Sequence, residues 1–208
     1  MDKIPIAVLA SGRGSNFQAI LDAIDKGECA AEVKVFITDN PEAKAIERAK
    51  GKNIPVEIID KKEIKDREQF DLELKKKFDE YGVQLVVLAG YMRIIKSKEL
   101  LDAYQYKIIN IHPSLLPAFK GSMTAQHEAF DHGCRVSGLT IHFVTDDVDG
   151  GPIIYQKCID IGDCTSGDEV AEKIIKMEHK AYPEVVDSFA KGDYNIQGRR
   201  VVYIPREV

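Results

Sequence analysis

The feature that most constrains this chain is the recurrence of short, almost wholly apolar runs, each followed by a segment of helical spacing. IPIAVLA (residues 4–10) and LVVLAG (85–90) offer no side chain that wants water. Such runs must be covered on both faces, as in a sheet held between helices. Between them, Phe17, Ile20, Leu21 and Ile24 recur at helical spacing until Gly27, and EVKVFIT (32–38) has strand length. The spacing then predicts a helix over about 42–50 stopped by Gly51, a short strand PVEII, and a charged helix over about 66–81. A short helix over about 97–103 precedes KIINIH. Strand and helix in this alternation imply right-handed crossovers and a doubly wound, mostly parallel α/β sheet with helices on both faces.

Beyond His112 the texture changes. GLTIHFV (138–144) and PIIYQKCIDI (152–161) are β-rich runs joined by the turn-rich TDDVDGG, so the C-terminal half is expected to be richer in strand. A long helix is predicted over about 168–189, and RRVVYI closes the chain. With 208 residues, 44% of them hydrophobic, the chain can bury one core of ordinary size, and a single domain over 1–208 is expected. A net charge of -5 supplies no basic field for a nucleic acid. No apolar stretch approaches the roughly 18 residues of a membrane span, and MDKIPIAVLASG carries no charged region ahead of a cleavable apolar segment. A cytoplasmic location follows as the expectation. Cys29, Cys134, Cys158 and Cys164 form no C-x-x-C pair and have no histidines at zinc spacing, so reduced thiols and no metal are expected.

Three motifs carry chemistry. The first, SGRGSN (11–16), lies between the first strand and the first helix, where glycines let the backbone approach a ligand and free amides suit a phosphate. Gly12 and Gly14 give the G-x-G of a dinucleotide site, and Asp39 ends the second strand. That fingerprint needs a third glycine three residues on, however, and Phe17 occupies the position. The alternative is a plain glycine turn with Ser15 or Asn16 capping the helix.

The second motif is NIHP, in which Asn110 and His112 stand two apart at a strand end and so face one side. An amide and a protonated imidazole aimed at one atom form an oxyanion-stabilising pair, and the imidazole can also move a proton. The third, TDDVDGG (145–151), has three carboxylates in five residues but not the spacing of a calcium loop. A carboxylate on such a turn can instead orient and charge a histidine. The bland readings are a structural histidine and a solvated acidic turn.

Together, AVLASGRGSNFQAI, VVLAGYMRI, NIHPSLLPAF, HFVTDDVDGGPIIYQ and EHKAYP resemble the folate-dependent formyltransferases over nearly the whole chain. The resemblance implies a Rossmann-like sheet and transfer of a formyl group from 10-formyltetrahydrofolate to the amine of a glycinamide ribonucleotide in purine synthesis. By match, Asn110, His112 and Asp149 would be catalytic. Gly12, Arg13, Gly14, Ser15 and Asn16 would bind the ribonucleotide, with the backbone amides of Gly14, Ser15 and Asn16 on its phosphate, and Glu178 would meet its ribose. Arg67, Met92, Arg93, Ile94, Ile95, Val144, Thr145 and Asp146 would form the folate pocket. About 1–112 would then be the phosphate-binding half and about 113–208 the folate and catalytic-loop half.

The same resemblance implies small-molecule partners only, no metal, and a monomer or homodimer. Other readings are a formyltetrahydrofolate hydrolase-like enzyme and a non-catalytic folate or nucleotide binder. The chain departs from the family after NIHPSLLPAFKG, where SMTAQHEAF puts Met123 in place of a histidine. His127 and His132 do not obviously compensate, and His142, inside TIHFV, is expected to pack or to support rather than to react.

Overall fold

The computed structural model describes residues 2–206. Seven strands form one sheet in the order β3-β2-β1-β4-β5-β6-β7. The first five, β1 (Ile4–Leu9), β2 (Ala31–Thr38), β3 (Val56–Ile58), β4 (Leu85–Leu88) and β5 (Ile108–His112), run parallel, whereas β6 (Val136–Phe143) and β7 (Ile153–Asp160) are antiparallel additions. Helices α1 (Ser15–Asp25), α2 (Ala45–Lys50), α3 (Arg67–Glu80), α4 (Lys98–Ala103), α5 (Ala125–Asp131) and α6 (Gly167–Lys191) connect and cover them, and a hairpin of β8 (Gly192–Gln197) and β9 (Arg200–Pro205) follows.

Alternation along β1 shows why its run had to be apolar throughout. Ile6 and Val8 join a core with Phe17 and Ile20 of α1 and Tyr182 and Val186 of α6. Ala7 and Leu9 point the other way, into a core with Phe70, Leu74 and Phe78 of α3. Each large side chain fully buried there contributes about 1.5–3 kcal/mol of transfer free energy. Phe17 stacks on Phe36 with ring centroids 5.0 Å apart, filling the space a dinucleotide fold reserves for glycine. Among the described residues no helix is long and apolar enough to cross a membrane.

The chain leaves β1 toward β2 on one side and returns to β4 on the other, so the order reverses between β1 and β4. In an open α/β sheet this opens a crevice at the carboxyl ends of the strands. The loops after β1 and β4 are stitched together there: Ser11 N donates to Gly90 O at 3.0 Å, and Met92 N to Ser11 Oγ at 2.9 Å.

Three features depart from the sequence reading. The second helix starts at Ala45, because the Asn40 side chain and carbonyl hold residues 40–43 in a turn. Residues 125–131, not predicted helical, form α5. RRVVYI is one arm of a hairpin whose other arm, GDYNIQ, has poor strand formers and is held by pairing.

Candidate active site

At the mouth of the crevice the glycine loop turns into α1 through Gly14, which sits at φ 66° with no side chain capping the helix. The first bond into the helix runs from Gln18 N to Gly14 O, which leaves the amides of Ser15, Asn16 and Phe17 ahead of the ladder. A Cβ on Gly14 would lie 2.6 Å from Cβ of Ala45, so α2 packs directly under the loop. Asn16 reaches across to α6, where its Nδ2 donates to Glu178 Oε2 at 2.8 Å. Burial pushes the Glu178 carboxyl up to about 7, against the opposing effect of the Asn16 hydrogen bond.

Asn110 and His112 lie at the end of β5, opposite β6. Cross-strand register pairs Asn110 with His142 and His112 with Thr140. Asn110 Nδ2 is 3.3 Å from His142 Nε2 and 3.5 Å from Asp149 Oδ1. His112 is buried, with Nδ1 3.4 Å from Asp149 Oδ2 and Nε2 3.1 Å from the Phe119 carbonyl oxygen. Asp149 therefore meets Asn110, His112 and His142, and it also accepts from Gly121 N at 3.0 Å.

The D-G-G turn makes this placement possible. Asp149 itself has φ 50°, a region that costs a non-glycine residue free energy. A Cβ on Gly151 would overlap the Phe143 carbonyl oxygen, so only glycine lets the turn close this tightly on the end of β6.

Burial lowers the His112 pKa below its ordinary 6.5, while the Asp149 charge and the Phe119 carbonyl oppose that shift. The direction matters for the expectation of a protonated ring. In the free protein near pH 7 the neutral imidazole is favoured, yet both ring nitrogens face acceptors that only the imidazolium can satisfy together. Burial also disfavours the Asp149 anion, but hydrogen bonding from His142, the His112 charge and the Gly121 amide outweigh it and hold the carboxyl low. The site thus has a fixed anion beside a base able to accept a proton.

A cleft of about 290 Å³ opens beside this cluster, lined by Asn110, His112 and Asp149 together with Met92, Arg93, Ile94, Ile95, Val144 and Thr145. Met92 and Ile94 are 56% and 42% exposed, so the segment after β4 presents apolar surface to whatever enters. Arg67 and Asp146 lie outside this lining. The Arg93 guanidinium stacks 3.9 Å over the Phe70 ring. Met123, 67% exposed, stands at the lip. Its loop is tied down by Lys120 pairing with Asp147 at 2.7 Å and by Ser122 bonding to Glu128. His127 pairs with Asp168 instead, and His132 stacks on Phe119.

Each expected ligand region draws on both halves of the chain: Glu178 comes from α6, and Met92 to Ile95 follow β4. His142, buried in β6 and 3.3 Å from Asn110 Nδ2, both packs and supports, as its place inside TIHFV suggests.

The fold and this cluster place the chain among enzymes that move a one-carbon acyl group, and the comparisons with known proteins agree. The profile of the formyl transferase family matches residues 4–186, and the chain belongs to that family. Within it, the chain is 43% identical over 180 residues to phosphoribosylglycinamide formyltransferase of Bacillus subtilis (strain 168), covering 86% of this chain and 91% of that one. It is 37% identical over 187 residues to the enzyme of the same name from Escherichia coli (strain K12), covering 90% and 87%. Among solved structures, glycinamide ribonucleotide transformylase 1 from Symbiobacterium toebii superposes with a TM-score of 0.92 at 42% identity, covering 97% of this chain and 94% of that chain.

Proposed function

We propose that the chain transfers the formyl group of 10-formyltetrahydrofolate to the amine of 5'-phosphoribosylglycinamide in purine biosynthesis, and that Asn110, His112 and Asp149 carry the chemistry. The observation that carries this reading is the meeting of those three side chains at one end of an apolar cleft, on the same rim of the sheet as the glycine loop. The amides of Gly14, Ser15 and Asn16 would hold the phosphate, and Glu178 would accept from the ribose. The folate ring would enter between Met92–Ile95 and the Val144–Asp146 segment, with Arg67 near its tail.

In the reaction, the substrate amine attacks the formyl carbon and a C–N bond forms while the carbonyl oxygen takes up the electron pair. An N–H of Asn110 stabilises that oxyanion. His112, neutral at first, accepts the proton shed by the amine and so becomes the imidazolium just as the oxyanion appears. Asp149, 3.4 Å away, stabilises this charge. The oxyanion then reforms the carbonyl, the bond to the folate nitrogen breaks, and His112 returns its proton to that nitrogen. Atoms and charge balance, and His112 ends as it began.

The test is incubation of the purified protein with 10-formyltetrahydrofolate, with and without phosphoribosylglycinamide, following formylated product by mass. Product that requires both ligands is expected. Consumption of the folate without the amine would make the protein a hydrolase, and no consumption would make it a binder.

A further inference from the structure

Besides backbone amides and a helix-end dipole, the glycine loop offers a phosphate the exposed side chain of Arg13, for which no ion pair is formed among the described residues. Arg48 of α2 supplies a second cation, and one that is held in place. Its Nε donates to the Arg13 carbonyl at 2.9 Å, and its Nη1 to Gln18 Oε1 at 2.7 Å. Those bonds hold the guanidinium at the side of the first turn of α1. They occupy two of five N–H donors, and no carboxylate among the described residues pairs with the charge.

The side chain is half-buried and lines a groove together with Ser15, Gln18 and His179. Nε2 of His179, in the same groove, is buried without a partner. The Arg48 charge is felt there: burial first, then Arg48, lowers the His179 pKa, with Asp22, which lines the groove farther along α1, opposing. A held cation beside open helix amides describes a site for an anion.

We infer that Arg48 is the cationic partner of the substrate phosphate: Nε and Nη1 clamp the glycine loop, and the remaining N–H groups bond the dianion seated on the Ser15 and Asn16 amides. The inference rests on the function proposed above and adds to it the residue by which phosphorylated substrate is distinguished from phosphate-free substrate. α2 is then part of the substrate site, although no sequence motif marks it.

The test compares wild type, Arg48→Gln and Arg48→Lys on phosphoribosylglycinamide and on its phosphate-free ribonucleoside. Hydrogen bonds to charged groups set the scale, so R48Q should lower kcat/KM for the phosphorylated substrate about 10- to 100-fold through KM. Its kcat/KM for the ribonucleoside should stay within about twofold. R48K keeps the charge but loses the Nε bond to Arg13, and should retain most of the discrimination. Equal losses on both substrates, or no loss on either, would overturn the inference.

A second arm does not need turnover: inorganic phosphate should raise the Tm of wild type and R48K but not of R48Q. Phosphate protection undiminished in R48Q would also overturn it. If wild type turns over neither substrate, the formyl-transfer reading fails while this arm still decides Arg48. Arg48→Met, which keeps the aliphatic packing, takes the place of R48Q should the latter not fold.

Discussion

His112 Nδ1 lies 3.4 Å from Asp149 Oδ2, while the opposite edge of the ring faces the Phe119 carbonyl at 3.1 Å. Burial favours the neutral ring, and the carboxylate is what limits the fall of its pKa below 6.5. Asp149→Asn removes the raising influence, so the His112 pKa should drop further. Titration of the ring by NMR should show this shift to lower pH, accompanied by a fall in kcat of about 10²-fold or more. A ring that titrates at the same or a higher pH in the variant would mean that Asp149 does not act on it electrostatically.

Asn110 and His142 are directly paired across β5 and β6. His142 Nδ1 is 2.9 Å from the Phe143 carbonyl oxygen, and its Nε2 lies 3.3 Å from Asn110 Nδ2 and 3.5 Å from Asp149 Oδ1, so the ring sits against both groups. The same Nδ2 is 3.5 Å from Asp149 Oδ1, and an N–H of this amide is what meets the oxyanion in the proposed reaction. His142→Ala should let the amide turn, lowering kcat about 5- to 30-fold, as expected for a lost hydrogen bond of about 1–2 kcal/mol. Steady-state kinetics at saturating substrates decide it, and kcat within twofold of wild type would remove His142 from the machinery.

Glu178 gives a prediction about stability. Its folded pKa, about 7, lies above its ordinary 4.5, so folding takes up a proton between those values. The associated stability is complete below about pH 4.5 and is lost as pH rises through about 7. Glu178→Gln carries no such charge and should be the more stable protein at pH 8, by at most about 3 kcal/mol, with the difference closing toward pH 5. Its KM for the ribonucleotide should rise. Denaturation at several pH values checks the first statement; parallel curves for the two proteins would contradict it.

Gly14 separates the two substrates. Any Cβ there meets both a left-handed φ of 66° and Ala45 at 2.6 Å. Gly14→Val should displace the loop and raise KM for the ribonucleotide at least about tenfold, with KM for the folate nearly unchanged, because only one ligand uses those amides. Equal losses for both would place the phosphate elsewhere.

Much of the architecture was legible because β1, β2 and β4 are buried on both faces and cannot hide their apolar runs. The seven residues of α5 bury only Ala125 and Ala129, too little to leave a periodic signal. The strand β8 exists through its partner β9 rather than through its composition. At the site, Asn110, His112 and Asp149 stood out because N-x-H and D-G-G are local patterns. His142 was legible as a packing or supporting residue but its pairing with Asn110 was not, because that depends on the register of β5 with β6; Arg48 was not legible, because it depends on the packing of α2 beneath a loop 35 residues earlier.

The most direct test is kcat for formyl transfer by His112→Ala, measured with both substrates saturating and with Tm recorded alongside. If His112 takes the amine proton and holds the resulting charge beside the oxyanion, kcat should fall by roughly 10² to 10⁴ while both KM values move by less than about threefold. A folded His112→Ala protein that turns over at a near-normal rate would contradict this, and NIHP would then be no more than the end of a strand.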